Sequence, residues 1–220
     1  MPAHIAAVSV PVTHGDMTTT TEGLRDDKGP VFGFLLAYVK WSDYFTEKTG
    51  RLAAWVVLPT VGVGFVNVVL RYTGQFLEVR LTSNAIIELQ WYLYSLIFLL
   101  GFAYVLKHQI NVRVDFWFAN QPPTRKAWID FVGNWIALLP FALMGIWVSF
   151  PQAIQSIRVW EQSPDASGLP RGPIKLMIAI AFVLLMLQAI AEQVKMYAII
   201  TGRGHLVHVE HEHEAPIRIE

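Results

Sequence analysis

The chain has 220 residues, of which 54% are hydrophobic and 13% aromatic, and its 17 basic residues balance 17 acidic ones. So much apolar surface in a chain of this length is typical of a protein that is solvated partly by lipid. Zero net charge argues against a nucleic-acid partner, which needs a basic stripe, and the lack of cysteine excludes disulfides, iron–sulfur clusters and covalently attached haem.

The amino-terminal region is predicted to contain a tail followed by a surface helix. Residues 1–30 are polar, rich in threonine, and contain no apolar run of the kind found in cleavable signal peptides. We predict that they form a disordered cytoplasmic tail. Residues 31–39 are apolar but about half as long as a span needs to be. With the aromatic residues Trp41, Tyr44 and Phe45 they are predicted to form an interfacial helix, the alternative being a cytoplasmic helix packed on other protein.

Four later stretches contain no charged side chain and no histidine, and each is long enough for most of a transmembrane helix. They are residues 52–70, 89–106, 131–157 and 176–191. A helix needs about 20 mostly apolar residues to cross a bilayer, and a charge at its centre costs roughly 2.5–3.5 kcal/mol. We therefore predict an all-α integral membrane protein with four transmembrane helices and the interfacial helix before the first of them.

The membrane domain is predicted to occupy residues 31–200, followed by a cytoplasmic His- and Glu-rich tail at 201–220. Its predicted spans are about 52–71, 86–106, 129–151 and 174–197. Twelve of the 17 lysines and arginines precede the first charge-free run, lie between the second and third, or follow the fourth. The other five are Arg71, Arg80, Arg158, Arg171 and Lys175. Because basic loops stay in the cytoplasm, both termini are predicted to be cytoplasmic.

Polar side chains within or at the ends of the predicted spans include Asn67, Gln90, Asn134 and Gln188. In lipid such groups usually face another helix, where a hydrogen bond contributes about 0.6 kcal/mol, so they are predicted to mark helix contacts. Small residues permit close approach of two backbones, and the spans contain Gly62, Gly64, Gly101, Gly133 and Gly145. Pro59 and Pro140 each remove a backbone donor and are predicted to kink their helices.

Two acidic residues, Glu88 and Asp130, lie near the beginnings of the second and third predicted spans. An acid at a helix end can hydrate or pair with an arginine, so both are predicted to be interfacial rather than ion-coupling groups. The expected partners of Glu88 are Arg71 or Arg80 in the same connection, or a basic group on another subunit.

The charge-free runs lack the groups that several classes of membrane protein require. All seven histidines lie outside them: His4, His14, His108, His205, His208, His211 and His213. Haem anchors need axial ligands inside their helices, proton pumps need titratable relays at depth, and autonomous transporters need broken helices around a polar site. The histidines of the tail could bind zinc or nickel, but a solvated tail is the preferred interpretation. The sequence therefore indicates a non-enzymatic partner of another membrane protein, without a cofactor.

Three groups of residues resemble one known family. The first is Glu88-Leu-Gln-Trp91 with Gly101 and the run from Lys107-His108 to Arg113-Val-Asp115. The second is Asn67-Val-Val-Leu-Arg71-Tyr72, and the third is Trp160-Glu161-Gln-Ser163 with Gly168-Leu-Pro170, Lys175 and Gln188. In their residues and in their order along four spans, these groups resemble the small membrane subunit of tripartite ATP-independent periplasmic (TRAP) transporters, the DctQ-like family. The resemblance covers about residues 45–200.

This resemblance implies a bacterial inner-membrane complex of three proteins. A periplasmic substrate-binding protein captures an organic acid, a large multi-span membrane subunit moves it with sodium, and the small four-span subunit braces the large one in the lipid bilayer. It implies secondary transport driven by an ion gradient, and the chain contains no nucleotide-binding motif. Substrate selection would belong to the other two proteins.

The matched positions are predicted to form contacts with the large subunit or the periplasmic receptor. They are Asn67, Arg71, Glu88, Trp91, Arg113, Asp115, Glu161 and Ser163. We expect Glu161 to pair with Arg158, and Asp115 to pair with Arg113 or with a base on the large subunit. Since a surface ion pair contributes only about 0–1 kcal/mol, recognition explains such pairs better than stability does. The alternative for the segment around Asp115 is an ordinary anchored loop.

Two other functions remain open from the sequence alone. The chain could be a non-catalytic anchor subunit of an unrelated membrane complex, which the lack of metal or haem ligands in the spans disfavours. It could also be a self-assembling four-helix membrane scaffold, which should oligomerise or conduct when expressed alone.

Overall fold

The computed structural model describes residues 30–110 and 121–203, and these residues form helices joined by short connections. The α-helices are α1 (Pro30–Leu77), α2 (Asn84–Lys107), α3 (Pro123–Gly133), α4 (Leu139–Arg158) and α5 (Gly172–Ile200). A π-helical segment, Asn134–Leu138, joins α3 to α4, so that the two form one long helical element. Four helical elements are long and apolar enough to cross a membrane, which confirms the predicted all-α membrane fold.

The chain divides into two units, residues 1–35 and 36–220. The described part of the first unit is the opening of α1, and the contacts that hold the helices together lie within the second. The predicted amino-terminal tail, the matched residues Arg113 and Asp115, and the histidine-rich tail from residue 204 lie outside the described residues.

Helix α1 differs from the sequence-based prediction in its continuity. The segment predicted as a separate interfacial helix runs into the first span as one helix of 48 residues, about 72 Å long at the rise of an α-helix. The sequence places Gly50 between the two parts, and there the helix continues against α2. A Cβ atom at Gly50 would lie 2.1 Å from the Tyr104 ring, so glycine allows this close approach. The aromatic residues Trp41, Tyr44 and Phe45 remain exposed, as an interfacial face requires.

Helix α5 forms the centre of the second unit: the backbones of α2, α3 and α4 lie close to it, and α1 contacts it through side chains. Its buried residues include several alanines, among them Ala179, Ala181 and Ala189. Three groups of buried apolar side chains among the described residues contain residues of α5. In one of them Leu184 packs with Ala53 of α1, and in another Leu185 packs with Ala142 of α4. Small side chains on one helix let three neighbours approach it closely, which explains why α5 is the most buried span.

The first and third spans are mostly exposed. Only 6% of the most apolar window of α1 and 11% of that of the third span are buried, against 39% in α5. Large side chains such as Trp55 and Phe65 on α1 and Trp147 on α4 point outward. These two spans therefore offer broad apolar faces to lipid or to another membrane protein.

Glycines and a proline have different effects at different places in the spans. A Cβ atom at Gly145 would lie 2.3 Å from the Phe182 ring, so α4 and α5 approach closely there as predicted. At Gly62, Gly101 and Gly133 the added atom would meet open space.

The π-helical segment, in which the Leu139 amide bonds to the Asn134 carbonyl, ends two residues before Pro140 in the sequence. Because proline has no N–H group, the regular bonding pattern is interrupted at this point.

Candidate functional site

A loop of residues 159–171 closes over the start of α2 and surrounds the carboxylate of Glu88. This side chain is buried, and it accepts hydrogen bonds from the Ser163 hydroxyl and the Leu169 backbone amide. Gly168 lies against the same carboxylate, and a Cβ atom there would be 2.7 Å from Glu88 Oε2. Only glycine fits this position without displacing the acid. We call Glu88, Ser163, Gly168 and Leu169 the loop cradle.

Further hydrogen bonds hold this loop to α2 and give it internal order. The Asn84 amide donates to the Ala166 carbonyl at 3.0 Å, and the Tyr92 hydroxyl donates to the Pro170 carbonyl at 3.1 Å. Within the loop, the Arg171 amide donates to the Glu161 carbonyl at 2.9 Å. Backbone groups that would otherwise need water are thus bonded to α2 or to each other, so the loop has a defined shape.

Glu161 forms an ion pair with Lys175, one turn into α5, and both side chains are about one-third exposed (33% and 32%). The Lys175 ammonium group donates to this carboxylate and, as the main cause, lowers the pKa of Glu161 below its ordinary value. The pair links the loop to α5, beside the link that the loop cradle makes to α2.

The ion-pair partners differ from those predicted from the sequence. The sequence predicts that Glu88 bonds to Arg71 or Arg80, or to a basic group on another subunit; within this chain its carboxylate bonds to Ser163 and Leu169 and not to either arginine. Glu161 was expected to pair with Arg158 but pairs with Lys175. The physical reason is that the loop of residues 159–171 folds back onto α2. Its uncharged donors, Ser163 and Leu169, therefore reach the Glu88 carboxylate. Residues distant in the sequence are therefore closer to Glu88 than the arginines of the neighbouring connection.

The eight predicted interface residues lie in several places. Glu88, Glu161 and Ser163 meet at the loop, and Trp91 lies one turn along α2, half-exposed and edge-to-face with Tyr92 at 4.4 Å between centroids. Asn67 and Arg71 lie on α1, outside the loop cradle. The side-chain oxygen of Asn67 is buried without a hydrogen-bond partner among the described residues. The remaining two, Arg113 and Asp115, lie outside the described residues.

A second polar cluster lies between α1 and α5, near the opposite end of α5, and centres on Gln188. The side chain of Gln188 is completely buried. Its oxygen accepts from the Ser42 hydroxyl at 3.0 Å and the Thr46 hydroxyl at 2.7 Å. Its nitrogen donates to Asp43 at 2.9 Å and to Glu192 at 3.0 Å. All of the hydrogen-bonding groups of this amide are thus occupied, which confirms that Gln188 marks a helix contact.

Lys195 supplies the positive charge of this cluster. Its ammonium group lies 2.9 Å from Asp43 and 2.8 Å from Glu192, and the side chains of Lys195 and Glu192 are 4% and 1% exposed. Gln109, after the end of α2, also donates to Glu192 at 3.2 Å. We call Ser42, Asp43, Thr46, Gln188, Glu192 and Lys195 the polar seam. A buried acid of this kind requires a close cation and full hydrogen bonding.

A third ionic group connects α1 to the end of α2. Glu47 lies 2.8 Å from Lys107 and 3.2 Å from His108, and 3.9 Å from Arg51 on its own helix. Together with the polar seam, this group fastens the first half of α1 to both α2 and α5. The loop cradle fastens the opposite ends of α2 and α5. We refer to these two ends of the helices as the seam end and the cradle end.

The polar seam was not predicted from the sequence, because its charged residues lie outside the charge-free runs that marked the spans. Asp43 lies before the first run and Glu192 and Lys195 lie just after the last, yet the helices extend through all three. The spacing of its polar residues is the sequence signal from which the polar seam could have been predicted. Ser42 and Thr46, like Gln188 and Glu192, are four residues apart and therefore share one helix face.

The Glu161–Lys175 pair predicts a pH dependence for the loop. A carboxylate whose pKa is lower in the folded protein stabilises it above the unfolded-state pKa, and this contribution is lost as the pH falls through the folded-state pKa. We expect the Lys175→Met substitution to return the Glu161 pKa toward its ordinary value. In the wild type, the protection of residues 159–171 against hydrogen exchange, corrected for the intrinsic pH dependence of exchange, should fall as the pH drops through the folded-state pKa of Glu161. The variant should be less protected at neutral pH and should lose most of this pH dependence. Identical pH profiles would contradict the assignment, and Lys48→Met, on an exposed site, is the control.

Comparison with known proteins identifies a matching family. A family model described as "Tripartite ATP-independent periplasmic transporters, DctQ component" matches residues 60–198. No curated protein matches the chain. No solved structure matches it either. The matched residues include α2, the loop cradle and nearly all of α5. Since the match covers more than half of the sequence, the chain belongs to the DctQ family, the multi-pass inner-membrane component of tripartite ATP-independent periplasmic transporters, and is a transporter component rather than an enzyme.

Proposed function

We propose that this protein braces the large membrane subunit of its transporter during sodium-coupled uptake of an organic acid that a periplasmic binding protein delivers. The observation that supports this role best is the fastening of α5 to its neighbours at both ends. The polar seam joins it to α1, and the loop cradle with the Glu161–Lys175 pair joins it to the loop and α2. A brace must keep its helices in a fixed arrangement while its partner moves.

Among the described residues, the buried carboxylates and the amide of Gln188 are used within the chain, in keeping with that role, although the buried side-chain oxygen of Asn67 has no partner there. The carboxylates of Glu88 and Glu192 and the amide of Gln188 all bond to groups of this chain. A transport pathway would instead present polar groups to a cavity at mid-membrane. Cargo and coupling ions are therefore assigned to the large subunit. The outward apolar faces of α1 and α4 are the surfaces on which that subunit and lipid would lie.

We also propose an orientation in which the cradle end faces the periplasm and both termini face the cytoplasm. The excess of lysine and arginine in the terminal regions and the connection between α2 and α3 supports it. In this orientation the loop of residues 159–171 is available to the receptor. Trp160 is 69% exposed on a loop of defined shape, and rigid exposed aromatic residues are common at the centre of protein interfaces.

Co-expression with the large membrane subunit and the periplasmic receptor of the same transporter tests the proposal. The three-protein system should take up an organic acid only when sodium is present, and omission of this chain should abolish uptake and destabilise the large subunit. Reporter fusions at the termini and at Asp165 test the orientation. Uptake that is unchanged without this chain would contradict the bracing role, and a cytoplasmic signal at Asp165 would contradict the orientation.

A further inference from the structure

A groove of about 380 Å³ runs between α2 and α5 at the cradle end. Its lining side chains are apolar along most of its length and basic at one end. The walls are apolar and come from side chains such as Phe98, Leu99, Ile174 and Ile178. Arg171 and Lys175 lie at the end where α5 begins. An apolar channel with cations at one end, in a protein embedded in lipid, matches an amphipathic ligand with a long chain and an anionic head.

The two cations of the groove are not equivalent. Lys175 is paired with Glu161. Arg171 is partly buried, and its guanidinium group makes no hydrogen bond or ion pair with any residue in ranges 30–110 and 121–203. Glu88 and Glu161 influence it electrostatically, but their oxygens accept from Ser163, Leu169 and Lys175 instead. Among the described residues, the donors of Arg171 therefore remain available to a bound group.

The open side of the groove faces the surroundings of the helices. Tyr94 and Phe98, two of its lining residues, are 66% and 60% exposed, so a molecule in the membrane could enter sideways. Trp91 and Tyr94 of α2 line the groove toward its cradle end. Tryptophan and tyrosine are enriched at the depth of the lipid headgroups. A larger groove of about 600 Å³ between α1, α2 and α4 is lined by apolar and aromatic residues and has no comparable cation. That groove does not indicate which molecule would occupy it.

We propose that the groove between α2 and α5 binds one glycerophospholipid of the leaflet at the cradle end. One acyl chain lies along Phe98, Ile174 and Ile178, and the phosphate accepts from Arg171. Guanidinium groups bind phosphates through paired hydrogen bonds, and the acyl chain, which is already in hydrocarbon before it binds, contributes through close packing against the groove walls. The lipid would fill the gap between two helices that the loop cradle joins above it.

Native mass spectrometry of the full-length protein with phosphatidylglycerol tests this site. Arg171→Gln should weaken phosphatidylglycerol binding roughly fivefold, the effect of one basic residue near an anionic headgroup. Arg158→Gln removes an exposed cation at the same end and should leave binding unchanged. Wild-type protein should also bind phosphatidylglycerol more tightly than diacylglycerol with the same acyl chains, because diacylglycerol lacks the phosphate.

A second pair of variants tests the apolar part of the groove. Ser95→Trp places a large side chain between the walls and should abolish specific lipid binding, whereas Leu143→Trp, on an exposed face of α4, should not. Elution as a single species verifies that each variant is folded. Equal lipid binding by the wild type and Arg171→Gln would overturn the proposal. So would unchanged lipid binding in Ser95→Trp with loss of the large subunit or of a dimer, because the groove would then be a protein interface.

Discussion

Replacing Lys195 with methionine is expected to destabilise the whole protein strongly. Its ammonium group is the cation between Asp43 and Glu192, and the Glu192 side chain is only 1% exposed. Removal of one partner from a buried ion pair leaves an uncompensated charge and typically costs about 3–5 kcal/mol. We expect the unfolding temperature in detergent to fall by roughly 10 °C and the complex with the large subunit to be lost.

The expected recovery in a double variant separates charge burial from lost packing. Adding Glu192→Gln to Lys195→Met removes the buried acid, so part of the lost stability should return. Lys48→Met provides the matched control, because Lys48 lies on an exposed face of α1 above the Tyr44 ring. Intrinsic tryptophan fluorescence suits the measurement, since the chain has eight tryptophans and no cysteine for thiol-reactive dyes. If Lys195→Met and Lys48→Met unfolded at the same temperature, the polar seam would not be a stabilising contact.

Glu88→Ala is expected to release the loop of residues 159–171 while leaving the helices folded. The Ser163 hydroxyl and the Leu169 amide would both lose their acceptor, and nothing else in the loop cradle could replace it. Hydrogen exchange of the loop amides should become roughly tenfold faster, as for the local opening of a segment that has lost its main hydrogen bonds. If the periplasmic receptor docks on this loop, Glu88→Ala should also lower the rate of substrate uptake.

Asp165→Ala is the matched control for Glu88→Ala. Asp165 lies in the same loop and has the same charge, but it is exposed, and its backbone carbonyl rather than its side chain bonds to Gly168. Gly168→Val offers an independent route to the same effect, because the new side chain would displace the Glu88 carboxylate. Equal exchange rates in the wild type and Glu88→Ala, or equal effects of Glu88→Ala and Asp165→Ala, would contradict the role given to the loop cradle.

Hydropathy predicted the fold because the solvent around this chain imposes one strong constraint. In hydrocarbon each backbone group must be bonded within its own helix, so four long apolar runs indicate four helices. The family resemblance drew attention to Glu88, Glu161 and Ser163, which the structure brings together at one loop. The residues that carry the resemblance in that region are thus side chains that lie close together in the fold.

The partners of these residues could not be read from the sequence. Glu88 was assigned to arginines nearby in the chain, whereas its donors come from Ser163 and Leu169 about 80 positions away. The polar seam was missed for a related reason, since each of its charged residues lies outside a charge-free run. Only the packing of α1 on α5 shows that Asp43 and Lys195 are neighbours. Hydropathy finds the spans, but long-range contacts decide which polar groups are paired.

Reconstitution into liposomes tests most directly whether this protein is a brace and the large subunit the carrier. Liposomes that contain only this chain should not move an organic acid, with or without a sodium gradient. Addition of the large subunit and the receptor should produce uptake, and in that complex Lys195→Met should reduce uptake by loss of assembly. Transport of a solute by the isolated chain would contradict the account.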